Sequence, residues 1–148
     1  MKPMLNTLNI RRSLLIISDI LLLYFSLLVA VFFGFGEKFN WPTFIEHLAP
    51  FSILYFFWLI IFYIFGLYDL KIVRNRINFY SKILGALSAC LGLGIIFFYL
   101  IPYFNIAPKT NLIFNLLIFG FLWLFWRKFF YSIFSSRLLT RVAIIGEQ

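Results

Sequence analysis

The sequence has few acidic residues, one cysteine, one histidine and few breaks in its hydrophobic runs. Charged residues make up 12% of the 148 positions and hydrophobic residues 64%, whereas an ordinary soluble domain has about 25% and 45–50%. Too little polar sequence remains to cover a water-soluble globule. The single Cys90 excludes a disulfide or a cysteine metal site within one chain. His47 has no second histidine to share a metal, so we expect no metal site and predict that His47 lies in a solvated loop.

Four hydrophobic runs are each long enough to cross a membrane, at residues 13–35, 49–68, 83–104 and about 110–131. About 20 helical residues span a hydrocarbon core of about 30 Å. In lipid the backbone must be helical or part of a closed barrel, and these runs lack the alternation of barrel strands. The sequence therefore predicts an all-α membrane protein with four transmembrane helices. Pro50 falls in the first turn of the second run, and Trp41-Pro42 predicts the start of a separate short interfacial helix before it.

Eleven of the thirteen Lys and Arg residues lie in the N-terminal segment, the central loop 66–82 and the C-terminal segment. The other two loops contain only Lys38 and Lys109. Because basic residues accumulate on the cytoplasmic side, this bias predicts that both termini are cytoplasmic. The net charge of +8 is spread over three segments, which favours anionic lipid as the partner rather than nucleic acid.

Basic residues at the predicted cytoplasmic surface are candidates to contact a lipid headgroup or a phosphate. Topology and general attraction to anionic lipid would explain the same residues. The candidates are Arg74, Arg76, Lys82, Arg127 and Lys128.

Asp19 is the acidic residue inside the first run, about two turns beyond Arg12 and therefore near the cytoplasmic edge. Its carboxylate could reach headgroup water or a basic partner, with Arg12, Arg74 and Arg127 as the candidates. A structural ion pair and a role in ligand or proton handling both remain open.

Small residues recur at three- and four-residue spacing in the third run. Such a strip permits close helix contact, with another span or with another protomer of a homo-oligomer. Its members are Gly85, Ser88, Ala89 and Gly92.

The C-terminal end departs from this pattern. We divide the chain into a transmembrane domain at residues 1–131, a basic amphipathic linker along the membrane surface at 132–140, and a further segment at 141–148. That last segment, RVAIIGEQ, has a β-branched run closing on Gly146, which predicts the first strand of a truncated Rossmann-like domain. A frayed hydrophobic tail is the alternative.

Several short motifs occur in a definite order along the chain. Ser18-Asp19 lies in the first span, Gly66-Leu67-Tyr68-Asp69 closes the second, and Pro108-Lys109-Thr110-Asn111 begins the fourth. With the basic loop and the RVAIIG segment, they resemble the N-terminal membrane region of bacterial polyprenyl-phosphate sugar-1-phosphate transferases over essentially the whole chain.

The resemblance implies an enzyme of the bacterial cytoplasmic (inner) membrane that passes a sugar 1-phosphate from a nucleotide sugar to undecaprenyl phosphate in exopolysaccharide or O-antigen synthesis. In that family the catalytic residues lie in a C-terminal domain that these 148 residues do not contain. The resemblance therefore assigns no catalytic residue and no cofactor to this chain, which we expect to be inactive alone. The membrane region of a nucleotide-sugar dehydratase or epimerase of capsule synthesis is one alternative, and a complete small four-span transporter of lipid-linked sugars is another.

Overall fold

The computed structural model describes residues 2–69, 76–102 and 108–145, with side chains described for residues 6–69, 77–102 and 110–133. The described chain forms α1 (Lys2–Phe35), a 3₁₀ turn (Gly36–Lys38), α2 (Trp41–Ile64), α3 (Arg76–Leu100) and α4 (Pro108–Ile145). Each of the four α-helices contains a segment long and apolar enough to cross a membrane. The prediction of an all-helical chain with four such helices is confirmed for the residues described.

The four helices form a bundle in which α1 packs against α4 and α2, and α3 completes the bundle by packing against α2 and α4. Side-chain contacts join Ser18 to Trp126 and Ser26 to Asn115, so α1 and α4 run antiparallel. The core between the helices consists mainly of leucine and aromatic side chains, among them Leu23, Leu27, Phe51, Leu54, Trp58, Phe62, Phe119 and Trp123.

The second span begins earlier than the sequence predicts. Asn40 caps α2 by accepting a hydrogen bond from the Thr43 amide at 2.8 Å, and Pro42 occupies the first turn. These are favourable residues for starting a helix. Pro50, predicted to open a new helix, lies inside α2. The separate interfacial helix was a wrong prediction, because one proline interrupts few backbone hydrogen bonds and membrane helices tolerate it.

The C-terminal end of α2 is closed by a Schellman motif. Gly66 adopts a φ of 69°, the left-handed conformation that glycine takes without a steric penalty. Its amide donates to the Tyr63 carbonyl at 3.0 Å, and the Leu67 amide donates to the Phe62 carbonyl at 3.1 Å. This pair of bonds defines the motif, and it reverses the chain so that Leu67 and Tyr68 return to the core, where both are buried.

The small-residue strip of α3 lies mostly away from the bundle. A Cβ at Gly85 would touch the Phe65 ring, but one at Gly92 would meet no atom within 4 Å, and Ser88 is exposed. The buried side of α3 carries Phe79, Ile83, Ala86 and Cys90, roughly opposite the strip at 100° per residue. Gly85 therefore packs within the bundle, whereas Ser88 is exposed and Gly92 borders open space. Contact of the strip with another protomer stays a prediction.

The predicted strand at residues 142–145 is not confirmed, because α4 continues as a helix to Ile145. A helix satisfies its own backbone hydrogen bonds, whereas a strand requires a neighbouring strand, and the described residues contain no strand. The predicted boundary between span and linker at residue 131 also lies within the continuous α4. Residues 146–148 lie outside the described residues.

Candidate functional site

A buried ion pair joins the first and last helices. Arg127 of α4 donates from Nη2 to the Oδ2 atom of Asp19 on α1 at 2.8 Å, and the side chains are 1% and 0% exposed. The other carboxylate oxygen, Oδ1, accepts a hydrogen bond from Trp123 Nε1 at 2.9 Å. Both oxygens of Asp19 are thus bonded by donors from a single face of α4. Of the partners predicted for Asp19, the structure selects Arg127.

The turn after α2 completes the surroundings of Arg127. Its Nη1 donates to the Leu67 carbonyl oxygen at 2.8 Å and makes a longer contact of 3.4 Å with the Tyr131 hydroxyl. The guanidinium also lies over the rings of Tyr68 and Trp123, 5.3 Å and 5.2 Å from their centroids. The cation therefore binds a carboxylate, a carbonyl of the turn after α2 and two aromatic faces, all of which stabilise positive charge.

Tyr68 packs against this ion pair. Its side chain is buried, and its hydroxyl lies near the Asp19 carboxylate without meeting the geometry of a hydrogen bond. A phenol is uncharged at physiological pH, so Tyr68 adds no charge to the pair.

Two isolated charges at this depth would be strongly unfavourable, and intramembrane ions are accordingly paired. The pair compensates each charge within the bundle and fixes the rotation of α1 relative to α4. We call the set Asp19, Leu67, Tyr68, Trp123 and Arg127 the ion-pair cluster. Its carboxylate and its guanidinium are bonded to each other, an arrangement that suits a role in holding the helices together.

Further polar contacts continue along the α1–α4 interface. Trp126 Nε1 donates to Ser18 Oγ at 2.9 Å, and Asn115 Nδ2 donates to Ser26 Oγ at 3.1 Å. Each serine in turn donates to a carbonyl three residues earlier in α1. Asn115 is fully buried, so its amide is shielded from lipid inside the bundle. These bonds give the helix pair a definite register, because a shift of either helix would leave buried donors unsatisfied.

His47 lies at the opposite end of the bundle and is 1% exposed. The prediction of a solvated loop histidine was wrong, because α2 already begins at Trp41 and carries His47 on its inner face. The Asn111 amide lies 3.0 Å from His47 Nε2, and His47 Nδ1 lies 2.7 Å from the Thr43 carbonyl oxygen. With Asn111 donating to Nε2, the ring carries its proton on Nδ1 and donates it to Thr43. A Cβ at Gly34 would overlap the Asn111 side-chain oxygen, so a larger residue there would displace the Asn111 side chain.

The residues predicted to contact a headgroup differ in their burial. Arg127 is buried in the ion-pair cluster and does not reach a headgroup, whereas Lys82 and Lys128 are exposed. Lys128 Nζ lies 5.8 Å from the centre of the Tyr80 ring. Arg74 lies outside the described residues, and for Arg76 only the backbone is described. Contact of the exposed lysines with lipid phosphate stays a prediction.

A spacing in the fourth helix could have revealed more of this interface. Asn111, Asn115, Phe119, Trp123 and Arg127 recur at every fourth position, and all five are buried. Residues four apart lie about 40° apart around a helix, so these five form a stripe that winds by about 160° along α4. Because asparagine and arginine are disfavoured at lipid-facing positions, this repeat indicates the stripe of α4 that packs inward.

No protein-family model matches this chain, and neither a curated protein nor a solved structure matches it. Functional inference therefore depends on the residues and their contacts.

Proposed function

We propose that this chain is the membrane-anchoring domain of a bacterial enzyme that passes a sugar 1-phosphate from a nucleotide sugar to undecaprenyl phosphate. The observation that supports the proposal is the meeting of separate motifs. Asp19 of the first span, Leu67-Tyr68 after the second and Arg127 at the basic end of the fourth contact one another in the ion-pair cluster. The Asp19 and Leu67-Tyr68 segments also carry the sequence resemblance to such transferases, and their shared contact with Arg127 gives these two motifs a common structural reason.

The proposed role is to hold the catalytic part of the enzyme at the membrane surface where its lipid substrate resides. The ion-pair cluster suits this role because it links α1, the end of α2 and α4 at one level of the bundle. The chain would lie in the cytoplasmic membrane with both termini in the cytoplasm, and catalysis would belong to a domain beyond residue 148. No residue of the described chain is assigned to the chemistry.

The decisive experiment follows the phosphate of a nucleotide sugar. Membranes containing the protein are incubated with undecaprenyl phosphate and a UDP-sugar labelled with ³²P at the β-phosphate, which is the phosphate bonded to the sugar. Transfer of sugar 1-phosphate breaks the bond between the two phosphates, carries the label into the lipid and releases UMP. We expect lipid-soluble label in these membranes and none in membranes from cells that lack the gene.

Two other results would overturn the proposal in distinguishable ways. Label that stays water-soluble while the sugar is converted to a keto sugar or an epimer would assign the chain to a dehydratase or epimerase. An unchanged nucleotide sugar, together with a native protein whose intact mass is 17.6 kDa, would favour the small transporter. A native mass well above that value is required by the transferase proposal.

The proposed topology has its own test. Cys90 is replaced by Ser, and single cysteines are introduced by Lys38→Cys and by Lys82→Cys, both at exposed positions. Intact cells are then treated with a membrane-impermeant maleimide. We expect labelling at position 38 and protection at position 82 until the membrane is opened. The opposite pattern would invert the topology and contradict a cytoplasmic C-terminus.

A further inference from the structure

Two exposed residues mark the ends of the lipid-facing surface of α2. Glu46 is exposed near the start of the helix, and Tyr63 is 74% exposed on its last turn. The residues between them include no Asp, Glu, Lys or Arg, and His47 among them is buried. The two markers are 17 positions apart, which is about 26 Å at 1.5 Å per residue. The apolar outer surface of α2 therefore has a length of about 26 Å.

The same length recurs on α3 and α4. On α3 the exposed Lys82 and Tyr99 are 17 positions apart, or about 26 Å. On α4 the exposed Thr110 and Lys128 are 18 positions apart, or about 27 Å. Within these two intervals, which the structure describes throughout, the one charged side chain is that of Arg127, and it is buried in the ion-pair cluster.

The first helix can be measured from the level of Glu46. The Tyr24 hydroxyl and Ser52 Oγ are 2.8 Å apart, and α1 and α2 form an antiparallel hairpin. Ala30 follows Tyr24 by six residues and Glu46 precedes Ser52 by six, so these two lie near one level. The exposed Arg12 precedes Ala30 by 18 positions, which is again about 27 Å.

Aromatic rings occupy the hairpin beyond this level. Phe32 and Trp41 are exposed, and each packs against Phe39, with ring centroids 5.6 Å and 6.0 Å apart. Trp41 lies five positions before Glu46, or about 7.5 Å, and the headgroup layer on each side of a bilayer is about 5–7 Å thick. Aromatic side chains are enriched in that layer. The exposed rings of α1 therefore lie at headgroup depth and do not lengthen its hydrocarbon-facing surface.

All four helices thus present about 26–27 Å of surface to hydrocarbon. Tilt of a helix shortens the perpendicular distance that it spans, so this length is an upper limit for the membrane. Lysine can extend its ammonium toward water, but the markers on α2 include no lysine and give the same length. We propose that the bundle is fitted to a bilayer with a hydrocarbon layer about 25–27 Å thick, thinner than the typical thickness of about 30 Å.

This inference requires only that the chain spans a membrane, so failure of the transferase proposal would leave it intact. The purified protein is placed in vesicles of phosphatidylcholine with acyl chains of increasing length, covering hydrocarbon thicknesses of about 22–34 Å, each measured by X-ray scattering. The readout is the labelling rate of the buried Cys90 by a membrane-permeant maleimide, which reports opening of the bundle. We expect the slowest labelling at about 25–27 Å, and labelling about five- to tenfold faster in a bilayer 4 Å thicker.

One pair of variants moves the boundary on α2. Glu46→Leu extends the apolar surface toward Trp41 and should shift the slowest labelling to bilayers about 2–4 Å thicker. Glu46→Gln stays polar and should leave the optimum in place, which separates apolar length from loss of charge. Glu37→Leu is the matched control, because Glu37 is an exposed carboxylate of the turn between α1 and α2 and should cause no shift.

Three results would overturn the proposal. The first is slowest labelling in bilayers of about 30 Å or more, and the second is a labelling rate that does not depend on thickness. The third is an equal shift in Glu46→Leu and Glu37→Leu, because Glu46 would then not mark the edge of the hydrocarbon-facing surface.

Discussion

Replacing Arg127 by methionine should destabilise the bundle far more than replacing Arg127 and Asp19 together. The Arg127→Met change removes the 2.8 Å bonds to Asp19 and to the Leu67 carbonyl, and leaves a fully buried carboxylate with Trp123 as its donor. Breaking a buried pair from one side lowers the free energy of unfolding by about 3–5 kcal/mol. The double variant Asp19→Leu with Arg127→Met contains no uncompensated charge, so we expect a loss of about 1–2 kcal/mol, mainly from the Trp123 donor left without its acceptor.

The single cysteine provides the assay. Cys90 is fully buried on α3, which contributes no side chain to the ion-pair cluster, so its rate of maleimide labelling at rising mole fractions of SDS reports opening of the bundle. A loss of 3 kcal/mol should speed labelling more than about 100-fold at fixed SDS. Lys128→Met is the matched control, since it removes the neighbouring exposed cation and should change stability by less than about 1 kcal/mol. If the losses of stability in Asp19→Leu alone and Arg127→Met alone sum to the loss in the double variant within about 0.5 kcal/mol, the two charges are uncoupled and this account is refuted.

Two further changes test the surroundings of the pair by the same labelling assay. Gly66→Ala places a Cβ on a residue with a φ of 69° and should lower the free energy of unfolding by about 1–2 kcal/mol. Gly92→Ala is the control, because a Cβ at this position on α3 meets open space, and it should be neutral or stabilising by up to about 1 kcal/mol. Equal effects at the two glycines would contradict the Schellman motif. His47→Leu should lower the free energy of unfolding by about 1 kcal/mol, because it leaves the buried Asn111 amide without its acceptor. Adding Asn111→Leu should restore much of this loss. A double variant that is less stable than His47→Leu alone would argue against the bond.

The spans could be predicted because the hydropathy and the length of a run are read directly from consecutive residues of the sequence. Depth in the membrane was equally visible, which is why Asp19 was expected near one end of its helix. The direction in which a residue faces around its helix is not visible in the sequence. Arg12, Arg74 and Arg127 are therefore all candidate partners of Asp19 at that level. The structure decides for Arg127 because α4 packs along α1 and brings Arg127 to Asp19.

His47 shows the converse difficulty. Its immediate neighbours are polar and aromatic, and Pro50 three residues later resembles a helix start, so local propensity favoured a loop. What decides its environment is the Asn40 cap seven residues earlier together with Asn111 on another helix. Propensity describes neither the continuation of a helix through proline nor a polar partner 64 residues away.

The unbroken length of α4 gives the ion pair a mechanical consequence. The helix has 38 residues and is about 57 Å long at 1.5 Å per residue, nearly twice the hydrocarbon thickness of about 30 Å. Arg127 lies 18 residues before its end, so the salt bridge acts as the fulcrum of a lever about 27 Å long. A tilt of about 10° about the salt bridge would move the C-terminal end of α4 by about 5 Å. Small rearrangements around Asp19 would therefore produce larger displacements at that end of the helix.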